Sequence, residues 1–395
     1  MRRLLPLVLI LLASLSSRAQ VWDNLFSDSL GTDAETQVLA LKVDATAFFR
    51  DNEYDGSKLT NGYTLPGVRL RPVLTYNPIS QIHLELGAYA IFYDGARKYP
   101  NYAYHDIATW KGNQYSRGSH ALPFFRAEAR LRSLTLVLGD IYGAQNHRLI
   151  YPLFNPELSL SADPEMGFQL QLDRKRIHLD AWLDWQSYIY ELDTHQEAFT
   201  VGGNAEIRWN ADKGRVRWTT PVQLLIQHRG GEQDTTQLGV QTVANASLGL
   251  RLDLDPHRHV LSHVRAEANA LVSYQQSGHL WPFQAGYATH ASAQLTLWQS
   301  LCLAAGYVGA PKQYANLFSN PFLGTLSTVD DALQLRGIHT AYLRADYTYA
   351  FTRDYKLGAD FELLTAHSRA LSETKFSFGV YLRVTPSFKL KTFKR

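Results

Sequence analysis

The feature that most restricts what this chain can become is a period of two. Apolar and polar side chains alternate one by one through about sixteen short segments. Ala127, Ala129 and Leu131 alternate with Arg126, Glu128, Arg130 and Arg132, and Leu343, Ala345 and Tyr347 alternate with Arg344, Asp346 and Thr348. Successive side chains of a strand point to opposite faces, so one face of each segment meets something oily and the other something wet. A chain of this kind is satisfied by closing on itself as an all-β, transmembrane antiparallel up-and-down β-barrel, with lipid outside and water inside.

The pattern predicts strands over 37–50, 63–76, 81–93, 124–132, 134–142, 167–173, 177–190, 199–209, 216–229, 236–254, 260–275, 287–298, 301–309, 338–351, 355–364 and 375–391. Every second connection is tight, as at Asn77 to Ser80, Ser133, Arg174 to Arg176, Gln299-Ser300 and Thr352 to Asp354. The others are longer, notably 94–123, 143–166 and 310–337. Short periplasmic turns alternating with long external loops are what a bacterial barrel shows, and a soluble sandwich has no reason to keep that parity. Pro66, Pro72, Pro221 and Pro386 fall inside these segments, and a closed barrel has no free edge for a residue without an N–H. Bulges are expected there, and the count is open between about 14 and 18 strands. Rings such as Tyr76, Phe92, Tyr142, Tyr188, Tyr190, Trp209, Tyr274, Trp298 and Phe351 fall near strand ends. Such amphipathic rings favour the headgroup level.

Residues 1–19 read as an export signal: Arg2 and Arg3, an apolar run from Leu4 to Leu15, then Ser17-Arg18-Ala19 before Gln20. Cleavage leaves 20–36 as a short periplasmic segment and 37–395 as the barrel. Losing Arg2, Arg3 and Arg18 makes basic and acidic residues equal in number, which gives no reason to expect a nucleic-acid partner. Cys302 is the only cysteine, so there is no disulfide framework and no cysteine metal cage.

With its export signal, its alternating strands and its final segment Phe376 to Phe393, the chain resembles a Gram-negative outer-membrane porin. In that segment Phe376, Phe378, Val380, Leu382 and Val384 alternate, followed by Phe388, Leu390 and Phe393. The resemblance implies an outer-membrane location, a C-terminal strand read by the barrel assembly machinery, contact with outer-membrane lipid, and passage of small polar solutes. Porins often trimerise, so it also brings a homo-oligomer into view. Lys394 and Arg395 depart from the usual aromatic last residue. Plugged receptors and hatched fatty-acid channels fit less well, since only Gln20 to Thr36 precede the first strand.

On the barrel reading the wet face carries Arg69, Arg71, Glu85, Arg126, Glu128, Arg130, Asp180, Asp184, Glu206, Arg208, Arg265, Glu267, Arg344, Asp346, Asp360 and Glu362 as the pore lining. A charge on the lipid side near the midplane would cost about 2–4 kcal/mol. Loop 143–166 is third in the external series, and by analogy with the general porins it bends inward and narrows the channel. His147, Arg148, Glu157, Asp163 and Glu165 are its constriction residues, with loops 94–123 and 310–337 as alternatives.

Enzymatic parts are harder to find. His367 and Ser368 are neighbours in sequence, and neighbours on a strand point apart. Asp180 and Asp184 share a face but lie roughly 13 Å apart by strand rise, too far for a retaining glycosidase pair. No catalytic set, metal site or cofactor site emerges. The expected function is a non-enzymatic, porin-like channel for small polar solutes or ions. The rivals are a barrel enzyme acting on lipid or peptide, in which His367, Ser368 or His147 would be essential, and a non-conducting scaffold for secretion or surface assembly.

Overall fold

In the computed structural model the described residues are 21–93, 119–187, 189, 195–210, 214–231, 237, 239–256 and 258–393. The export signal at 1–19, most of loop 94–123, and Tyr188, Tyr190 and His257 lie outside them. Sixteen antiparallel strands form one closed sheet. They are β1 Val38–Glu53, β2 Tyr63–Ile79, β3 Ile82–Tyr93, β4 Ser119–Leu131, β5 Leu134–Asp140, β6 Met166–Asp173, β7 Ile177–Ser187 and β8 Ala198–Arg208. The series continues with β9 Val216–Arg229, β10 Gln241–Leu254, β11 Leu261–Ser277, β12 Ala285–Leu297, β13 Leu301–Ala310, β14 Ile338–Ala350, β15 Tyr355–His367 and β16 Ser372–Val384. Beyond Thr385-Pro386 the last ribbon runs on as Ser387–Thr392. Each strand pairs with its sequence neighbour, and β1 pairs with both β2 and β16, placing Phe49 opposite Val380 and closing the cylinder.

The prolines are absorbed with less disturbance than expected. Pro66 and Pro72 lie opposite Phe49 and Val43, and Pro221 lies opposite Glu206, in continuous registers. On their other sides the ladders lapse beside Pro72 and Pro221, and at Pro386 the strand itself is interrupted; there its carbonyl accepts a hydrogen bond from the Val43 amide at 3.0 Å. The tight turn at Ser133 is a two-residue hairpin, Leu131 opposite Leu134, with Arg132 in the left-handed region at φ 59°. The end carrying these short turns is the periplasmic one by the general rule for such barrels.

The outward face is the expected lipid surface: Leu86, Leu138, Val272, Leu343 and Val380 are all exposed. The inside differs from a water-filled tube. The segment expected to hang in the periplasm instead begins with a short helix, α1 Val21–Phe26, whose Trp22, Leu25 and Phe26 are buried against Phe48, Leu65, Val73, Tyr89, Ile91, Phe124 and Tyr381. Residues 141–165 and 311–337 also enter the cylinder. Leu153, Phe154 and Leu158 join Tyr314, Leu317, Phe318, Phe322 and Leu323 in an apolar cluster. The wall alternates as read, but part of its wet face is covered by inserted chain.

Candidate functional site

Every residue assigned to the wet face lies on the inward side of its strand, and most are buried in ion pairs rather than open to solvent. Arg71 donates to Asp28 at 2.7 Å and to Asp44 at 2.9 Å, and Arg383 bridges the same two carboxylates. Asp28 belongs to the N-terminal insert. Its burial opposes ionisation, but Arg71, Lys42 and Arg383 outweigh it and hold the carboxyl well below the ordinary range. Glu128 accepts from the Gly31 amide, the Thr32 hydroxyl and the Tyr142 hydroxyl. Gly31 is needed at that contact, because a Cβ there would fall 1.9 Å from the His83 ring.

Other members pair along the wall. Arg126 donates to Glu85 at 3.1 Å, and Arg69 donates to the Ser159 carbonyl at 2.7 Å. Glu206 accepts from Arg251 at 2.7 Å, Arg208 reaches Asp173 at 3.3 Å, and Arg265 donates to Asp253 at 2.8 Å. Arg344 lies 3.7 Å from Asp346 and 3.9 Å from Glu362. Glu267 and Arg130 face inward on β11 and β4. Asp180 accepts from Gln169 at 2.8 Å, and Asp184 accepts from the Met166 amide at 3.0 Å.

The third external loop does bend inward. A 3-10 turn, Ala144–His147, lays the His147 ring flat on Trp182, with centroids 3.5 Å apart and planes within 9°. Trp182 can lie there because the facing residue is Gly202, where a Cβ would come within 2.0 Å of the indole. The His147 nitrogens meet Asp180 at 2.7 Å and Glu165 at 2.9 Å. Burial alone would weaken the ring's hold on its proton, but Glu165 and Asp180 raise it to about 10. His147 is therefore an imidazolium clamped on both sides. Such a group anchors a loop and is a poor general base.

The remaining loop residues are engaged too. Arg148, in the left-handed region at φ 55°, reaches Glu206 at 3.6 Å, and Asp163 bonds the His120 ring. Glu157 precedes the single turn α2, Leu158–Ser161, and accepts from Arg50 and Asn52, both at 2.9 Å, and from the Tyr63 hydroxyl. Arg50 also donates to Asp360 at 2.7 Å. Arg50 is the last residue of the strand predicted over 37–50 and Asn52 lies two beyond it; both continue the inward period of Asp44 and Thr46, which is the signal that finds them.

The second inserted loop, 311–337, falls within the segment 310–337 that the sequence offers as an alternative constriction. Asn245 holds it with two bonds, its amide donating to the Ala315 carbonyl at 2.7 Å and its oxygen accepting from the Leu317 amide at 2.8 Å. A signal existed: rings and leucines from Tyr314 to Leu323 are out of place in a purely solvated loop. Between the two inserted loops lies a cleft lined by Asn52, Tyr54, Thr60, Asn155, Glu157, Ser319, Asn320 and Pro321. The Asn52 side-chain oxygen and the Thr60 hydroxyl are buried there without a hydrogen-bond partner within the protein.

His367 and Ser368 do not cooperate. The Ser368 hydroxyl caps the β15–β16 turn by accepting from the Ala370 and Leu371 amides at 3.1 and 3.2 Å. His367 ends β15 on the outer face, because that strand runs three residues further than predicted.

Residues 31–393 match the model of a family described as lipid A 3'-O-deacylase-type. No curated protein matches the chain. Among solved structures it is similar to the outer membrane protein OprD from Pseudomonas aeruginosa, at 11% identity and TM-score 0.50, covering 92% of this chain and 98% of that one. It is also similar to OccAB2 of Acinetobacter baumannii, at 11% identity and TM-score 0.51 over 90% and 100% of the two chains. A third is the outer membrane protein OpdK from Pseudomonas aeruginosa, at 9% identity and TM-score 0.50 over 90% and 100%. These likenesses establish the fold, a porin-like outer-membrane barrel. The family match overturns the expectation of a non-enzymatic barrel, since its family is named for an enzyme. Alternation reports which side of a wall is wet, and it carries no signal for hydrolytic chemistry.

Proposed function

Because the chain belongs to the lipid A 3'-O-deacylase-type family, we propose that it is an outer-membrane esterase that releases a fatty acyl chain from the 3'-oxygen of a lipid A glycolipid. The observation that carries this reading is the extent of the match, which takes in the whole barrel together with the N-terminal insert from Gly31. The filled interior supports it. Charges engaged in holding inserts are not available to guide a stream of solutes.

Hydrolysis of an ester asks for donors that meet the carbonyl oxygen as it gains charge, and for a path for one water. The cleft between the two inserted loops offers such donors in the Tyr54 and Thr60 hydroxyls, while the Asn52 amide nitrogen is engaged by Glu157. We assign the chemistry to this external end. The clamped His147 serves as scaffold.

The test is mass spectrometry of lipid A from a Gram-negative host with and without the protein. The expected result is a species lighter by one ester-linked acyl chain at the 3' position. Unchanged lipid A under full expression of folded barrel removes the reading. The inward charges and the shared barrel support a second reading, a loop-restricted channel. Steady single-channel current in planar bilayers, with unaltered lipid A, would favour it instead.

A further inference from the structure

The short turns at the periplasmic end differ around the rim in a way that neither the lumen nor the cleft explains. Four consecutive turns, β4–β5, β6–β7, β8–β9 and β10–β11, carry an excess of basic residues. Arg132, Arg174, Lys175, Arg176, Arg215 and Arg258 are all exposed there. Acidic neighbours are fewer. Asp173 is exposed and meets Arg208 at 3.3 Å, and Asp255 pairs with Arg217 and with the His263 ring. Asp212 and Lys213, outside the described residues, cancel in sequence. On the other half of the rim the excess disappears. The β2–β3 turn, Asn77 to Gln81, and the β12–β13 turn, Trp298 to Ser300, hold no charged residue. The β14–β15 turn sets Arg353 beside Asp354, Lys389 lies 3.4 Å from Glu35, and Lys391 lies over the Phe393 ring.

The basic arc is interleaved with residues that face lipid. Leu131 adjoins Arg132, Ile177 adjoins Arg176, and Val216 adjoins Arg215, and all three apolar side chains are exposed on the outer face. Trp209 and Trp218 are exposed on the same stretch of wall, the Trp209 amide donating to the Trp218 carbonyl at 3.0 Å. Such rings settle at the headgroup level of a membrane. One residue spans about 3.3 Å along a strand, so the basic groups begin where the hydrocarbon-facing surface ends. That is the level of the phosphates in the periplasmic leaflet. A guanidinium meets a phosphate with two parallel N–H bonds, which gives the arc a matching geometry as well as a matching charge.

We propose that this arc, from the β4–β5 turn to the β10–β11 turn, is a docking surface for anionic phospholipid headgroups of the periplasmic leaflet. Their phosphates meet the exposed guanidiniums while their acyl chains lie along Leu131, Ile177 and Val216, so anionic lipid collects on one side of the barrel. An acidic soluble protein would touch only the tips of the turns and would gain nothing from the interleaved apolar residues. The arc lies at the opposite end from the cleft and stands whether or not the barrel is an esterase.

The experiment places the full-length protein in mixed micelles holding equal amounts of phosphatidylglycerol and phosphatidylcholine, and counts the retained lipids by native mass spectrometry. The expected result at low salt is a preference of about fivefold or more for phosphatidylglycerol. It should fall towards parity in about 1 M salt, where charges are screened beyond about 3 Å. R132N/R174S/R176S/R215S should abolish the preference, and K389S/K391S, on the other half of the rim, should keep it. Asparagine suits position 132 because its backbone is left-handed, at φ 59°. Heat-dependent migration in electrophoresis checks that each variant is folded. Equal retention of the two lipids by the wild type overturns the proposal, as does a preference that survives high salt or persists in the fourfold variant. Binding of soluble polyglutamate without any lipid preference overturns it in favour of an acidic protein. The salt series needs only the wild type, so it decides the matter even where the fourfold variant does not fold.

Discussion

The two loops that enter the cylinder from the external end do so by different means. Loop 143–166 adds charge to the burial of Leu153, Phe154 and Leu158: His147 between Asp180 and Glu165, Glu157 on Arg50, Asp163 on His120. Loop 311–337 is held by burial and amides, with Tyr314, Leu317, Phe318, Phe322 and Leu323 in the apolar cluster and Asn245 bonding its backbone. Charge pairs in a low-dielectric space demand particular partners, so they set where a segment sits more than how strongly it coheres. Apolar contact supplies cohesion with little preference for register. Both loops share the apolar cluster, but only the first is also positioned by ion pairs, and the cleft lies where they meet.

Breaking the ionic side should have the largest effect. Arg50→Ala leaves Glu157 and Asp360 buried and unpaired, and removing one partner of a buried pair costs about 3–5 kcal/mol. The expected readout is a lower unfolding midpoint in denaturant and loss of any acyl-release activity. On the packed side, Leu323→Ala, at a fully buried position, should cost about 2–5 kcal/mol through the cavity it leaves. That unfolding shift should be insensitive to pH.

The two anchors should also separate by pH. The folded-state proton affinity of His147, raised to about 10 from an ordinary 6.5, gives stabilisation that is complete below about pH 6.5 and fades as pH rises through about 10. His147→Gln should flatten the alkaline side of the stability profile measured by denaturant unfolding. An unchanged profile would show that the clamp does not hold this loop. Asn245→Ala should cost about 1–3 kcal/mol by stranding a buried carbonyl and amide of loop 311–337, readable as faster proteolysis of that loop. The smallest effect belongs outside the comparison. Lys389→Ala removes an exposed pair with Glu35 at 3.4 Å, and the unfolding midpoint should move by less than about 1 kcal/mol.

The barrel itself was legible because alternation is a local property. Leu39, Leu41 and Val43 against Lys42, Asp44 and Thr46 declare two unlike surroundings whatever the rest of the chain does, and the parity of turn lengths orders the strands. The inward placement of Arg126, Glu128, Arg344 and Asp360 followed from the same period. The partners of those charges are not local. Asp28 meets Arg383 across 355 positions, and Glu157 meets Arg50 across 107. A period of two says that a side chain faces the lumen, but it cannot say whether water or another stretch of chain is waiting there.

On the outer face His339 pairs with His367, and His367 with Ser372, and they show the same division. Each residue continues its strand's alternation, which the chain alone determines. Their meeting depends on the registers of β14, β15 and β16, and on β15 running on to His367. Local periodicity decided the wall and its two faces, because strand geometry imposes it residue by residue. What fills the wall and what gathers on its rim were decided only when distant strands came into register and the inserts exchanged water for the lumen's charges.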